Sequence, residues 1–385
     1  MNDLHFLKQT PGEELLLTED PAPFYRKYAK GRCAVFTGGK GVEANGAWQE
    51  FSAAVPDAER FCGIEEEPGT ETVERMTAFL DKGKFDTIFA IGGGSVLDAA
   101  KAAYLVHQTG EPLKELFGVN KYSARFPKIP LRRIIAVPTT SGTGSEATQY
   151  SNIVDKSAGV KKLIAEAQCV PEAACLVPRY TETMPHHVTL ATGCDALAHL
   201  IEGFLNVGAD SNHPGANSWA LHGIELVKNF LPSALKNASE SRRQMAIAAA
   251  LGGMTIRFKS TGLPHLCSFS WFGRIAHGIA AIMLLPESWR YYLGNPAVCE
   301  RTMLLKELFP GETPEEVIAS FRTFLDSIGI PAKLNAFPDL SVDLMKRTAA
   351  SAGENKMKLE LAPRPVPLEE SKLILQDILL KSYGE

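Results

Sequence analysis

The chain has no marked excess of charge of either sign: 40 Lys+Arg stand against 44 Asp+Glu among 385 residues, a formal net charge of −4. So small an imbalance supplies no polybasic field, which argues against duplex nucleic acid or an acidic membrane surface as a partner. Also missing is any run of roughly 18 to 20 apolar residues, the length that crossing a bilayer requires. The opening MNDLHFLKQTPGEELLLTED lacks the basic and apolar blocks of a secretory signal, so a cytoplasmic location is expected. Seven cysteines (Cys33, Cys62, Cys169, Cys175, Cys194, Cys267 and Cys299) contain no CxxC pair, and their odd number reads as reduced thiols. Repeats and low-complexity tracts are absent as well. With 45% apolar residues the chain can bury a sizeable core, which excludes global disorder.

What is present divides the chain in two. In the first half, short apolar β-rich runs alternate with helical patterns: RCAVFTGG, then FDTIFAIGGGS followed by VLDAAKAAYLV, then RRIIAVPTTSGTGSEAT. Strands buried on both faces read as continuous apolar runs, and each needs a crossover helix to reach the next. The expectation is an α/β, doubly wound parallel-sheet (Rossmann-like) domain over residues 1–183. An edge hairpin is expected within its first 20 or so residues. From Met184 the pattern turns to long helical periodicity, as in TLATGCDALAHLIEGFL and SWALHGIELVKNFL, and predicts an all-helical domain over 184–385. Pro185 marks the hinge, and APRPVPLEE a loop before a last helix at Ser371 to Ser382.

Three glycines, Gly92 to Gly94, separate a buried strand from a helix that opens with Ser95. Glycines let a diphosphate approach the backbone, and the free N–H groups at the positive end of the following helix supply the binding energy. The pattern is neither GxGxxG nor a Walker A loop, and a tight turn would account for it equally. A second segment after another buried strand, AVPTTSGTGSEAT, gathers Thr139, Thr140, Ser141, Thr143 and Ser145, whose hydroxyls suit ribose, phosphate or carboxamide. Two such loops at neighbouring strand ends favour a nucleotide over a plain turn.

GCDALAHLIEG places Asp195 and His199 four residues apart, on one face of a helix. Alone, that spacing fits a surface hydrogen bond as well as a metal. GLPHLCSFSWFGRIAHGIA adds His265 and His277 in surroundings almost free of charge, where imidazoles need partners. Three imidazoles and one carboxylate suit Zn²⁺ or Fe²⁺, with room for one substrate oxygen.

With these motifs the sequence resembles the iron-containing (group III) alcohol dehydrogenases. The resemblance covers nearly the whole chain through GGGSVLDAAK, PTTSGTGSEAT, MP–ATGCDALAHLIEG and the paired histidines ending in HGIA–LLP. It implies that Asp195, His199, His265 and His277 bind Fe²⁺ (or Zn²⁺). It further implies that Gly93, Gly94, Ser95, Asp98, Thr139, Thr140, Thr143 and Lys162 line a dinucleotide site, with Leu176 near the nicotinamide. A homodimer and a small aldehyde or alcohol substrate follow by the same route.

Three departures from the family pattern carry information. After the first strand, where many relatives have an Asp that grips the adenosine ribose, stand Gly38, Gly39 and Lys40. A 2′-phosphate is then accommodated, so NADPH is expected, with NADH and a merely solvated Lys40 as the alternative. Second, GGMTIRFKSTGLPH brings Arg257 and Lys259 just before His265. That wording resembles the branch acting on phosphonoacetaldehyde and sulfoacetaldehyde, and the two cations, with Tyr150, are substrate-side candidates; Arg274 is a further cation. The alternative is that these side chains make salt bridges or face water. Third, Phe269 replaces a histidine that most relatives place four residues after the first histidine of the pair, so no general acid is assigned. The expected reaction is hydride transfer between NAD(P)H and a short, anionic aldehyde. Reduction of uncharged aldehydes, or a dehydroquinate synthase-like lyase using metal and NAD, are the other readings.

Overall fold

The computed structural model describes residues 14–126 and 134–385. The chain forms two compact units, Met1–Thr189 with Ser233–Gly253, and Leu190–Pro232 with Met254–Glu385. The expected N-terminal hairpin falls largely outside the described residues. The described strand there, β1 (Glu14–Leu17), is no hairpin arm: it runs parallel to β9 (Ala173–Leu176) at the sheet edge.

In the first unit, β1 and β9 belong to a six-stranded sheet with β2 (Cys33–Thr37), β3 (Glu59–Phe61), β4 (Thr87–Gly92) and β6 (Ile134–Pro138). The order is β1-β9-β6-β4-β2-β3, and every pairing is parallel. Alternate side chains of one strand enter different cores: Ala34, Phe36, Ile88 and Ala90 pack on one side, Val35, Phe89, Ile91 and Val137 on the other. A sheet covered on both faces needs apolar residues at every position, which is why CAVFT and IIAVP are buried throughout. This is the doubly wound arrangement expected from the alternating pattern. From β2 the chain goes outward to β3 and then returns to β4 on the opposite side of β2, so the winding reverses between β2 and β4. Ligands of such sheets collect at the strand C-termini beside that reversal. A smaller sheet, β5 (Gly118–Val119), β8 (Val160–Ala165) and β7 (Tyr150–Asp155), contains the antiparallel β7–β8 hairpin.

The second unit is built of helices. Its tryptophans Trp219, Trp271 and Trp289 are fully buried, and two of them place the indole N–H on a threonine hydroxyl, Thr348 and Thr302, each at 2.8 Å. The helix His186–Leu205, here the ligand helix, reaches the length and a mean hydropathy of 1.2 that would suit a membrane span, yet 78% of that window is buried in the protein. No disulfide forms, and Cys194 and Cys267 are buried thiols.

Candidate active site

At the C-terminal edge of the large sheet, three adjacent strands release their loops side by side. Thr37 of β2 is in register with Ile91 of β4, and Gly92 of β4 with Pro138 of β6. Gly38 to Lys40, Gly92 to Gly94 and Thr139 to Thr143 therefore follow one another along the edge. The cradle helix, Gly94–Thr109, starts from Gly93 without a side-chain cap; Val96 N–H turns back to Gly93 O at 3.0 Å, and the N–H groups ahead of it are those a helix N-terminus presents to a ligand. The two loops touch: a Cβ added to Gly94 would lie 2.4 Å from Thr143 Cγ2, and one on Gly93 3.2 Å from Thr140 Cγ2. Thr139 N–H closes the junction on Gly92 O at 2.9 Å. Ser95 Oγ accepts from Glu67 N–H at 3.2 Å. Gly38 lies against Val96 of the cradle helix, Gly39 is open, and Lys40 is exposed.

A small cleft opens at the β6 and β9 ends, lined by Thr140, Ser141, Glu146 and Leu176 among others. Ser141 Oγ is buried there without a hydrogen-bond partner. Burial pushes the Glu146 carboxyl up to about 7, against the pull of its own backbone N–H and of Lys101.

Two residues expected at the dinucleotide are committed to the protein itself. Asp98 accepts from Ser145 Oγ at 2.6 Å and from Asn152 N–H at 2.9 Å, which ties the cradle helix to the second loop and to β7. Lys162 pairs with Asp155 at 2.8 Å. Lys101, which the sequence reading passed over, is 1% exposed; its ammonium donates to Ser145 O and Oγ, Thr148 O and Tyr150 O at 2.6 to 3.0 Å. It stands three residues after Asp98, the helical spacing that could have signalled a shared task. Tyr150 opens β7.

In the second unit, Asp195 and His199 project from the ligand helix, His265 from the helix Leu263–Ser268, and His277 from the start of the helix His277–Tyr292. Asp195 Oδ1 lies 3.8 Å from His199 Nε2, 3.5 Å from His265 Nε2 and 3.9 Å from His277 Nε2. Ligands about 2.1 Å from one tetrahedral ion stand roughly 3.4 Å apart. One atom each of Asp195, His199 and His265 fall within 4.8 Å of one another.

The residues fit a divalent cation by two further observations. Asp195 Oδ1 and His265 Nε2 are buried without a hydrogen bond although they face each other. The site also favours positive charge. Burial opposes the charged form of His265, but the Glu202 and Asp195 carboxylates outweigh it and hold its pKa at about 9. Asp195 is likewise kept well below the usual carboxylate range, burial being overcome by His199, His265 and His277. Phe269 stacks on His277, with ring centroids 5.7 Å apart.

The cations expected at the substrate have partners within the protein. Lys259 is fully buried and is bonded to Asp210 and, at 2.9 Å, to Asn217 Oδ1; Arg301 closes the same network on Asp210. Arg257 lies over the Phe258 ring, and Arg274 donates to Asp339 O at 3.3 Å. A lysine on the last turn of an apolar helix is held inside by a carboxylate partner because an unpaired buried ammonium costs several kcal/mol, roughly.

The model of the iron-containing alcohol dehydrogenases matches residues 21–178, and that of the Fe-containing alcohol dehydrogenase family C-terminal region residues 189–379. Long-chain-alcohol dehydrogenase 1 of Geobacillus thermodenitrificans is 31% identical over 322 residues, 80% of this chain and 78% of its own. The chain belongs to the iron-containing alcohol dehydrogenase family. Iron-containing alcohol dehydrogenases use Fe²⁺ and NAD(H). Probable alcohol dehydrogenase EutG of Escherichia coli is 36% identical over 237 residues, and the match spans 57% of its length and 60% of this chain. Among solved structures of this fold, sulfoacetaldehyde reductase from Bifidobacterium kashiwanohense in complex with NAD⁺ superposes with a TM-score of 0.81. It covers 96% of this chain and 98% of its own at 22% identity.

Proposed function

We propose that this protein is a metal-dependent, NAD(P)(H)-linked alcohol dehydrogenase that works as a reductase of short aldehydes. The observation that carries the reading is the convergence of Asp195, His199, His265 and His277, three imidazoles on one carboxylate oxygen. These four residues would hold the ion, and the loops at Gly93 to Ser95 and Thr139 to Thr143 the dinucleotide. When bound, the ion polarises a carbonyl oxygen and the nicotinamide supplies hydride. The chain's own contribution is placement. First-turn N–H groups of the cradle helix take the diphosphate, the threonine hydroxyls orient the cofactor, and the apolar Leu176 excludes water from its side of the cleft.

With Lys259 sequestered by Asp210, an anion-selective pocket would rest on Arg257, and short uncharged aldehydes become the favoured substrates. A sulfonate- or phosphonate-bearing aldehyde is the second reading, supported by the KSTGLPH wording. Loss of 340 nm absorbance with propanal, sulfoacetaldehyde and phosphonoacetaldehyde, each with NADH and NADPH, separates them. Turnover should require added Fe²⁺ or Zn²⁺ and disappear in Asp195→Ala; a single cofactor turnover without net oxidation would instead indicate the lyase. Lys40→Ala should reduce kcat/KM for NADPH roughly tenfold, the value of a charge-assisted hydrogen bond, and leave NADH unchanged. Equal effects on both cofactors would remove Lys40 from the site.

A further inference from the structure

The ligand helix carries another acid on the face of its two expected ligands. Glu202 follows Asp195 by seven residues and His199 by three, so the three side chains form one stripe. It is 1% exposed, and its Oε2 accepts the N–H of Gly262 at 2.6 Å. Its Oε1 meets His265 Nδ1 in a short hydrogen bond. With the Glu202 oxygen as acceptor of that bond, Nδ1 carries the proton and Nε2 is the ring atom left for a metal. That Nε2 is the buried atom facing Asp195.

The turn that delivers His265 is gripped from a second side as well. Lys358, 5% exposed, donates to Ser260 Oγ at 2.9 Å and to Thr261 Oγ1 and O at 3.0 and 3.2 Å. Ser260 holds φ at 62°, a left-handed conformation that costs a residue with a Cβ about 1 kcal/mol or more, so the turn is over-determined by its neighbours.

We propose that Glu202 is a positioning residue of the metal site: it fixes His265 in the Nδ1–H tautomer and aims Nε2 at the ion, tightening metal binding, while Lys358 steadies the 260–262 turn. The inference rests on the four-ligand reading above. A ring oriented in advance loses less freedom when the ion arrives, and a hydrogen-bonded imidazole is a more basic ligand.

The test is a Zn²⁺ titration of the full-length wild type, Glu202→Ala, Glu202→Gln and Lys358→Met against a competing chelator, with thermal melts of the metal-free proteins alongside. Glu202→Ala should lose about 10- to 100-fold in affinity. Glu202→Gln, which retains an acceptor for Nδ1–H, should lose less, and Lys358→Met should release the ion faster. A folded Glu202→Ala protein that binds Zn²⁺ within twofold of wild type overturns the proposal. Should the variants misfold, long-range ¹H–¹⁵N spectra of the Zn²⁺-loaded wild type decide. A proton on His265 Nδ1 is expected, and Zn²⁺ on Nδ1 refutes the role of Glu202. Wild type that binds no ion at all would sink the four-ligand reading itself, a separate outcome.

Discussion

Burial lifts the Glu146 carboxyl into the neutral range inside its cleft, and stability should follow its titration. Its folded pKa of about 7 lies above the 4.5 of an ordinary glutamate, so the folded state binds the extra proton. The contribution is fully present below pH 4.5 and is lost as the pH rises through about 7, on the order of 3 kcal/mol across the window. Glu146→Gln should therefore gain stability over wild type at pH 8 and little at pH 4.5, read from urea midpoints at the two pH values. A constant difference would assign the slope to another group. At this scale the sequence was informative where residue type and spacing coincide. Asp195 and His199 stand out by their four-residue interval, and Glu202 was available by the same rule, extended by three. What the sequence hides is the partner of a charge. Lys259 reads as an anion receptor until Asp210, 49 residues earlier, is found on its ammonium.

Among the elements, the parallel strands were legible because a sheet buried on both faces demands unbroken apolar runs, and RCAVFT, FDTIFAIG and RIIAVP supply them. The β7–β8 hairpin was not, since YSNIVD and VKKLIA interleave polar or charged residues with apolar ones and leave many positions half-buried. The junction between the cradle helix and the threonine loop is sensitive to a single methyl group. Gly94→Ala would set a Cβ 2.4 Å from Thr143 Cγ2 and force the loops apart. NADH affinity, followed by nicotinamide fluorescence, should fall roughly tenfold or more, as 1 Å errors in a positioned site commonly cost. Thr143→Ala in the same chain should recover part of the loss. A Gly94→Ala protein with wild-type affinity would show that the dinucleotide does not use this junction. A second contact of the kind lies at Gly144, whose φ of 61° and 2.5 Å Cβ-to-Gly253 Cα approach leave no room for a side chain.

For the molecule as a whole, composition and periodicity gave the α/β and helical halves. Segment 233–253 defeats such a reading: its helical pattern is that of its neighbours, yet it groups with the sheet unit. Only three-dimensional packing carries that information. A bound ion should stabilise the fold by mass action, about 2.7 kcal/mol at a free concentration 100 times its Kd. Chelation should accordingly lower the melting temperature, and Asp195→Ala should melt at the same temperature with and without chelator. The expected ligands come from three separate helices spaced between residues 195 and 277. An ion held by all of them acts as a staple across more than eighty residues of chain, and its loss frees each helix to open alone. Metal supply would then set the lifetime of the protein as well as its turnover: in a cell starved of iron or zinc, the stripped chain would be the one that proteases cut first.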